Sequence, residues 1–110
     1  METTGGKNMA ALHITKENFQ KEIMDSEKTV LLDFFAAWCA PCRMLSPVIE
    51  AISEERDDVT VGKVDIDEEM ELAQKYQVMS IPTLIVIKGG EVVSRAVGAA
   101  SKDEVLSMLA

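Results

Sequence analysis

The sequence has few of the residues that several common protein classes require. Its two cysteines in 110 residues are too few for the disulfide framework of a small secreted domain. Aromatic residues make up 5% of the chain and hydrophobic residues 47%, so the core should be built from aliphatic side chains. The length suits one compact domain and leaves no room for a second.

Positive charge is also scarce. Lys and Arg total 11 against 19 Asp and Glu, which gives a net charge of −8. Such a chain repels phosphate backbones and anionic membranes, so we expect neither nucleic acid nor a membrane as a partner. No apolar run is long enough to cross a bilayer, and the first residues lack the apolar centre of a secretory signal. We therefore expect a cytoplasmic protein. We also expect it to be a monomer.

The N-terminal stretch differs in composition from the rest of the chain. Residues 1–9 are polar and contain a Gly-Gly pair, so they are expected to form a flexible extension or an expression remnant. Residues 10–110 are expected to form a single domain, without internal repeats or linkers.

Apolar periodicity over 10–110 predicts alternating strands and helices. The first half is predicted to begin with a short strand near 11–14 and a helix capped by Thr15, with a hydrophobic staple between Ile14 and Phe19. A buried strand at 29–36 and a helix at 41–55 that contains Pro47 are predicted to follow. The second half is predicted to contain a strand within 57–67, a helix capped by Asp67 and ending near Lys75, two strands joined at Gly89 and Gly90, and a closing helix with a Ser101–Glu104 capping box. This order predicts a parallel unit joined to an antiparallel pair.

The two cysteines form a C-x-x-C motif at a predicted strand-to-helix junction. Cys39 falls at the helix N-terminus, where free backbone N–H groups stabilise a thiolate, so it is the predicted nucleophile. Cys42 lies about one turn further along the same face and is the predicted resolving thiol. Pro41 fixes one φ angle and stiffens the short ring. The pair therefore suits a reversible dithiol–disulfide switch.

Other interpretations of the cysteines are open at this point. Buried cysteines are often inert, although a helix N-terminus beside Trp38 is a poor place for an inert thiol. Zinc requires three or four ligands, and His13 is the only histidine of the chain, so no metal site is expected. An iron–sulfur cluster shared by two chains is the remaining metal alternative.

An aspartate lies in the middle of the apolar run that precedes the motif. A charge there costs several kcal/mol unless it is paired, protonated or functional. Asp33 can reach the space beneath the helix start, where burial should raise its pKa and let it take the proton of Cys42. Lys63, expected on the neighbouring strand, would moderate that burial. The alternatives are that Asp33 caps a loop and that Lys63 is a solvated strand-edge lysine.

The stretch SIPTL contains a second candidate feature. Pro82 opens a predicted strand, where its missing N–H donor is tolerated, and Ile81 before it is held extended. A cis bond between these residues would lay the turn against the sulfurs and leave backbone groups of Ile81 free to pair with an extended substrate segment.

With WCAPC preceded by LLDFF and followed by SIPTL, KGGEV and VGAAS, the chain from about Ala11 to Ala110 resembles the thioredoxin family. The resemblance implies a mixed α/β fold, with four or five strands flanked by about four helices. It implies no bound cofactor: electrons come from NADPH or ferredoxin through a thioredoxin reductase and pass to disulfides of target proteins. The implied catalytic residues are Cys39, Cys42, Asp33 and Lys63, and the implied docking residues are Trp38, Ala40, Pro41, Ile81, Pro82, Val97 and Gly98.

The chain departs from the family pattern at two positions. Ala40 replaces the usual glycine between the cysteines and adds a methyl group at the docking rim, and Phe35 replaces the usual tryptophan. The predicted function is a general protein disulfide reductase. The alternatives are a disulfide oxidase or isomerase, which usually carries a histidine between the cysteines, and a redox-inactive module that binds through the same surface.

Overall fold

The computed structural model describes residues 11–110, and the predicted extension at 1–9 lies outside them. The elements in chain order are β1 (Leu12–His13), a π-helical segment (Gln20–Met24), β2 (Thr29–Phe35), α1 (Ala40–Glu55), β3 (Val59–Asp65), α2 (Met70–Lys75), β4 (Thr83–Lys88), β5 (Glu91–Val97) and α3 (Lys102–Met108). The predicted α/β architecture, with five strands and about four helical segments, is confirmed.

The five strands form one mixed sheet in the order β1-β3-β2-β4-β5. Strand β3 runs parallel to both β1 and β2, while β4 is antiparallel to β2 and β5. Gly89 and Gly90 close the β4–β5 hairpin at φ values of 59° and 82°, a conformation that glycine adopts without steric cost. The predicted parallel unit and hairpin are therefore both confirmed.

Strand β2 contributes to a core on each face of the sheet, because successive side chains point to opposite sides. Val30, Leu32 and Phe34 lie in a cluster with buried residues of the π-helical segment and α2. Leu31 lies in a second cluster with buried residues of α1 and α3. Asp33 shares the face of Leu31, so it interrupts an otherwise apolar surface under α1.

Helix α1 follows directly from β2 and covers this second face. Its buried side chains include Leu45, Ile49 and Ile52, which confirms the predicted helical periodicity, and Pro47 lies inside the helix. At 16 residues, α1 is the longest helix described. No helix within residues 11–110 is long and apolar enough to span a membrane.

The predicted cap of α2 is wrong. The helix begins at Met70 with Glu69 at the N-cap position, and no side chain caps it. Backbone N–H groups of Glu68 and Glu69 instead donate to the carbonyl of Asp65, which makes a turn before the helix. The side chain of Asp67 bonds elsewhere, as described below.

A helical turn begins at Thr15 as predicted, but the side chain that bonds to the backbone there is that of Asn18. The Asn18 side chain accepts the backbone N–H of Thr15 at 2.8 Å, and the π-helical segment begins only at Gln20. The carbonyl of Thr15 accepts the backbone N–H groups of Asn18 and Phe19 at 3.2 and 2.9 Å, so a helical turn forms there together with the side-chain bond. Ile14 and Phe19, the predicted staple pair, are both buried in the same apolar cluster.

Candidate active site

The two cysteines lie together at the N-terminus of α1. They are joined by a disulfide with a Cα–Cα distance of 5.3 Å, and their exposed fractions are 5% for Cys39 and 4% for Cys42. Cys39 is the N-cap residue, and its sulfur accepts the backbone N–H of Cys42 at 3.2 Å. The first turn of α1 contains no acidic residue, so the positive end of the helix faces the sulfur without a competing carboxylate.

A short turn between β2 and α1 fixes the position of Cys39. Its backbone N–H donates to the carbonyl of Ala36 at 3.2 Å. The Arg43 guanidinium reaches back from α1 and donates to the carbonyl of Ala37 at 2.9 Å. Pro41 lies in the first turn of α1, where its missing N–H is not needed. The first two residues of the turn are therefore bonded to the N-cap and first turns of the helix that carries the cysteines.

The residues beside the motif form an exposed apolar rim. Trp38 is 67% exposed, and Ala40 and Pro41 are also exposed. The indole N–H of Trp38 donates to the carboxylate of Asp67 at 2.9 Å. This bond orients the ring although it lies largely in solvent.

A second segment approaches the sulfurs from the start of β4. The Ile81–Pro82 peptide bond is cis, and the Ile81 carbonyl oxygen lies 4.0 Å from the sulfur of Cys39. Gly98 donates its backbone N–H to the carbonyl of Pro82 at 2.8 Å, and exposed Val97 pairs with the first residue of β4. The chain thus brings these predicted docking residues to the same end of the sheet as the cysteines.

Asp33 is buried under the start of α1, with 1% of its surface exposed. Its Oδ1 atom has no hydrogen-bond partner within residues 11–110. Burial raises the pKa of Asp33 from 3.8 to about 6; the charge of Lys63 lowers it, and that of Glu50 raises it further. The predicted direction of the pKa shift is confirmed.

Lys63 is the direct neighbour of Asp33 across β2 and β3. Strand β3 pairs with β1 on its other side, so the alternative of a strand-edge lysine is wrong. The half-buried ammonium donates to the hydroxyl of Ser46 at 3.0 Å and lies 4.9 Å from the centre of the Phe35 ring. Lys63 is therefore held inside the site.

Three residues near the site are not predicted from the sequence. Ser46 and Glu50 lie on α1 among its apolar positions, and a polar residue in that pattern is the signal that could have pointed to them. The sequence around Asp67 indicates a helix cap, and nothing in it links this residue to Trp38. As for metals, no group of three or more His, Cys, Asp or Glu side chains within residues 11–110 is placed to hold an ion.

Comparison with known proteins gives consistent matches. The family model described as Thioredoxin matches residues 10–110. The thioredoxin of Mycobacterium tuberculosis strain ATCC 25618 / H37Rv is 45% identical over 107 residues, which cover 96% of this chain and 92% of that protein. A bifunctional thioredoxin reductase/thioredoxin of Mycobacterium leprae is 45% identical over 105 residues, which cover 94% of this chain and 23% of that protein.

A solved structure matches the fold as well. A mutant thioredoxin from Halobacterium salinarum NRC-1 superimposes with a TM-score of 0.84 at 36% sequence identity. The match covers 91% of this chain and 88% of that chain. Sequence and fold therefore point to the same family over nearly the whole length.

Proposed function

Because the chain belongs to the thioredoxin family, we propose that Cys39 attacks a substrate disulfide and that Cys42 resolves the mixed disulfide. The chain is a protein disulfide reductase, and Cys39 and Cys42 are its redox-active pair. The observation that carries the division of roles is the N-cap position of Cys39, whose sulfur accepts the Cys42 N–H at 3.2 Å. A sulfur in that position is the better thiolate.

In the first step, the Cys39 thiolate attacks one sulfur of the substrate disulfide and releases the other as a thiolate. In the second step, the Cys42 thiol gives its proton to Asp33 and attacks the Cys39 sulfur. The second substrate sulfur then leaves, and the Cys39–Cys42 disulfide forms. Two electrons pass from the dithiol to the substrate. With a pKa of about 6, Asp33 is ionised at neutral pH and ready to accept that proton.

The exposed rim binds the substrate segment next to its disulfide. Trp38, Ala40 and Pro41 supply one side, and the other docking residues are Ile81, Pro82, Val97 and Gly98. Backbone groups of Ile81 would pair with an extended peptide. The support is the contact of the Ile81 carbonyl with the Cys39 sulfur and the exposure of Trp38.

A thioredoxin reductase would return the disulfide to the dithiol, with electrons from NADPH or ferredoxin. The support is the Mycobacterium leprae relative, which is named for both activities. We also propose that residues 10–110 act as one monomeric domain in the cytoplasm and require no bound cofactor.

Trapping tests the division of roles. Cys42→Ser should accumulate a mixed disulfide between Cys39 and a substrate protein, because the resolving sulfur is absent. Non-reducing electrophoresis and mass spectrometry would identify the bond. Cys39→Ser is the matched control and should trap nothing. Equal trapping by the two variants would contradict the assignment.

Insulin reduction tests the activity itself. With dithiothreitol as electron donor, the protein should speed the precipitation of reduced insulin chains, which turbidity records. A module that only binds through the exposed rim would leave the rate at that of dithiothreitol alone.

A further inference from the structure

The ammonium group of Lys63, a half-buried residue, has few partners. Within residues 11–110 it donates one hydrogen bond, to the hydroxyl of Ser46 at 3.0 Å, and makes no ion pair. Its other neighbour is the face of the Phe35 ring, 4.9 Å from the ring centre. A lysine side chain has four flexible carbons, so these two contacts decide where its charge lies.

That location matters because Asp33 makes no direct bond to a cation. Its Oδ1 atom is unpartnered among the described residues. The charged groups that act on it are Lys63 from β3 and Glu50 from α1, while its partner on β4 is the apolar Leu84. The attraction between ammonium and carboxylate acts through space and changes with their separation.

We propose that Ser46 is a positioning residue whose hydroxyl fixes the Lys63 ammonium beside Phe35, and that this fixed charge sets how readily Asp33 takes the Cys42 proton. The inference rests on the proposed role of Asp33 and deepens it. Within residues 11–110 the Ser46 side chain makes no hydrogen bond to either cysteine, and its effect passes through Lys63.

The pocket beside the cysteines gives the direction of the effect. Ser46 and Cys42 lie one turn apart on α1 and line the same opening of about 230 Å³, together with Phe35 and Lys63. Without the hydroxyl, the ammonium has a path through this opening to water, where its hydration is favourable. The cation then lies further from Asp33, and the carboxylate becomes harder to ionise.

The test uses matched substitutions at Ser46. Ser46→Thr and Ser46→Val have nearly the same shape and differ in the hydroxyl. An NMR titration of the Asp33 carboxyl carbon should give the parent midpoint for Ser46→Thr. For Ser46→Val and Ser46→Ala the midpoint should rise by at least about half a pH unit, since a nearby cation shifts a carboxyl by about a unit or more. Ser107→Ala, an exposed hydroxyl deletion on α3, is the control for helix effects.

A double-mutant cycle tests whether Ser46 acts through Lys63. Lys63→Met should raise the Asp33 midpoint, and adding Ser46→Val should change it no further. An unchanged or lowered Asp33 midpoint in Ser46→Val would overturn the proposal. So would a shift caused by Ser46→Val in the Lys63→Met background that equals the shift it causes in the parent. The NMR midpoint is independent of turnover. A further outcome is an Asp33 midpoint that moves as expected while the pH profile for the attack of Cys42 on the mixed disulfide stays unchanged. In that case the proton role of Asp33 is wrong, and the positioning of Lys63 by Ser46 stands.

Discussion

Helices α1 and α3 begin with the same hydrogen bond made by different atoms. In α1 the Cys39 sulfur accepts the backbone N–H of Cys42 at 3.2 Å, and in α3 the Ser101 hydroxyl accepts that of Glu104 at 3.1 Å. The first turn of α3 carries Asp103 and Glu104, whereas that of α1 carries no acid. At α3 the positive helix end is neutralised by carboxylates, and at α1 it is left for the sulfur.

The carboxyl groups near the two helix starts are perturbed in opposite directions. Burial raises the pKa of Asp33 to about 6, under α1. The backbone and side-chain hydrogen bonds of Ser101 lower the pKa of the exposed Glu104. At one helix start the carboxylate is held by capping hydrogen bonds, and at the other a costly buried acid is kept that the proposed chemistry uses.

The largest effect should come from giving α1 the cap atom of α3. Cys39→Ser keeps an oxygen acceptor for the first turn but removes the nucleophile, so insulin reduction should fall to the rate of dithiothreitol alone. The reduced variant should unfold within about 1 kcal/mol of the reduced parent, because serine is a good cap. Turbidity and urea titration measure the two quantities. Substantial residual turnover would contradict the role of Cys39.

Removing the buried charge under α1 should stabilise the protein. Asp33→Asn should raise the free energy of unfolding at pH 7 by about 2–3 kcal/mol, since the pKa of Asp33 rises from 3.8 to about 6 on folding. The folded parent holds this proton more tightly than the unfolded chain does, so its stability falls as pH rises from about 4 to about 6. The variant should lack that fall.

Urea titrations at several pH values measure this difference, and insulin turbidity at neutral pH should show slower turnover for Asp33→Asn. The exposed Glu104 provides the opposite control, because a lowered pKa adds stability at neutral pH that is lost on acidification. Parallel pH curves for Asp33→Asn and the parent would argue against a buried, perturbed carboxyl.

Deleting the cap of α3 should affect stability alone. Ser101→Ala removes the acceptor for the Glu104 N–H and should lower the free energy of unfolding by about 1 kcal/mol. Insulin reduction at a temperature where the variant is folded should match the parent. A drop in turnover per folded molecule would show that the two helix starts are coupled.

The smallest effect should come from giving α1 an acid like those of α3. Ala40→Glu places a carboxylate in the first turn of α1, where it competes with the Cys39 thiolate for the positive helix end. Iodoacetamide should alkylate Cys39 of the reduced variant about two to five times more slowly at neutral pH, from an interaction of about 0.3–1 kcal/mol. Ala40→Gln is the uncharged control. Equal rates for both variants would exclude a charge effect.

Much of the fold follows from strong local patterns. The apolar run of β2, the helical periodicity of α1 and the glycine pair of the hairpin each predict the observed element. The capping box at Ser101 is likewise confirmed, because both of its hydrogen bonds lie within four residues. Such features depend on neighbours in sequence, and the sequence displays them directly.

Local patterns mislead where a side chain has a more distant partner or a competing local one. Asp67 is of the residue type that caps helices but bonds to Trp38, 29 residues away in sequence. At Thr15 the helical turn forms, but the side chain that bonds to its backbone is Asn18, whose amide oxygen accepts the Thr15 N–H. Periodicity and capping preference contain no information about such choices.

The residues of the candidate site also fall into two groups, those that the sequence indicates and those that it does not. Asp33 stands out because it is a charged residue within an apolar run. Cys39 and Cys42 stand out because they lie where the strand pattern ends and the helical pattern begins. Ser46 and Glu50 depend on how α1 is rotated over β3, which brings one hydroxyl within 3.0 Å of Lys63. That rotation is set by packing of whole helix faces, so a polar residue in the apolar pattern indicates a position of interest but not its partner.

The chain contains one tryptophan, Trp38, adjacent to Cys39 and bonded through its indole to Asp67. Its fluorescence therefore arises from one place in the molecule, with no second indole to obscure it. Changes in emission can follow the opening of the sulfur bridge or the arrival of a partner in real time, and no dye has to be attached.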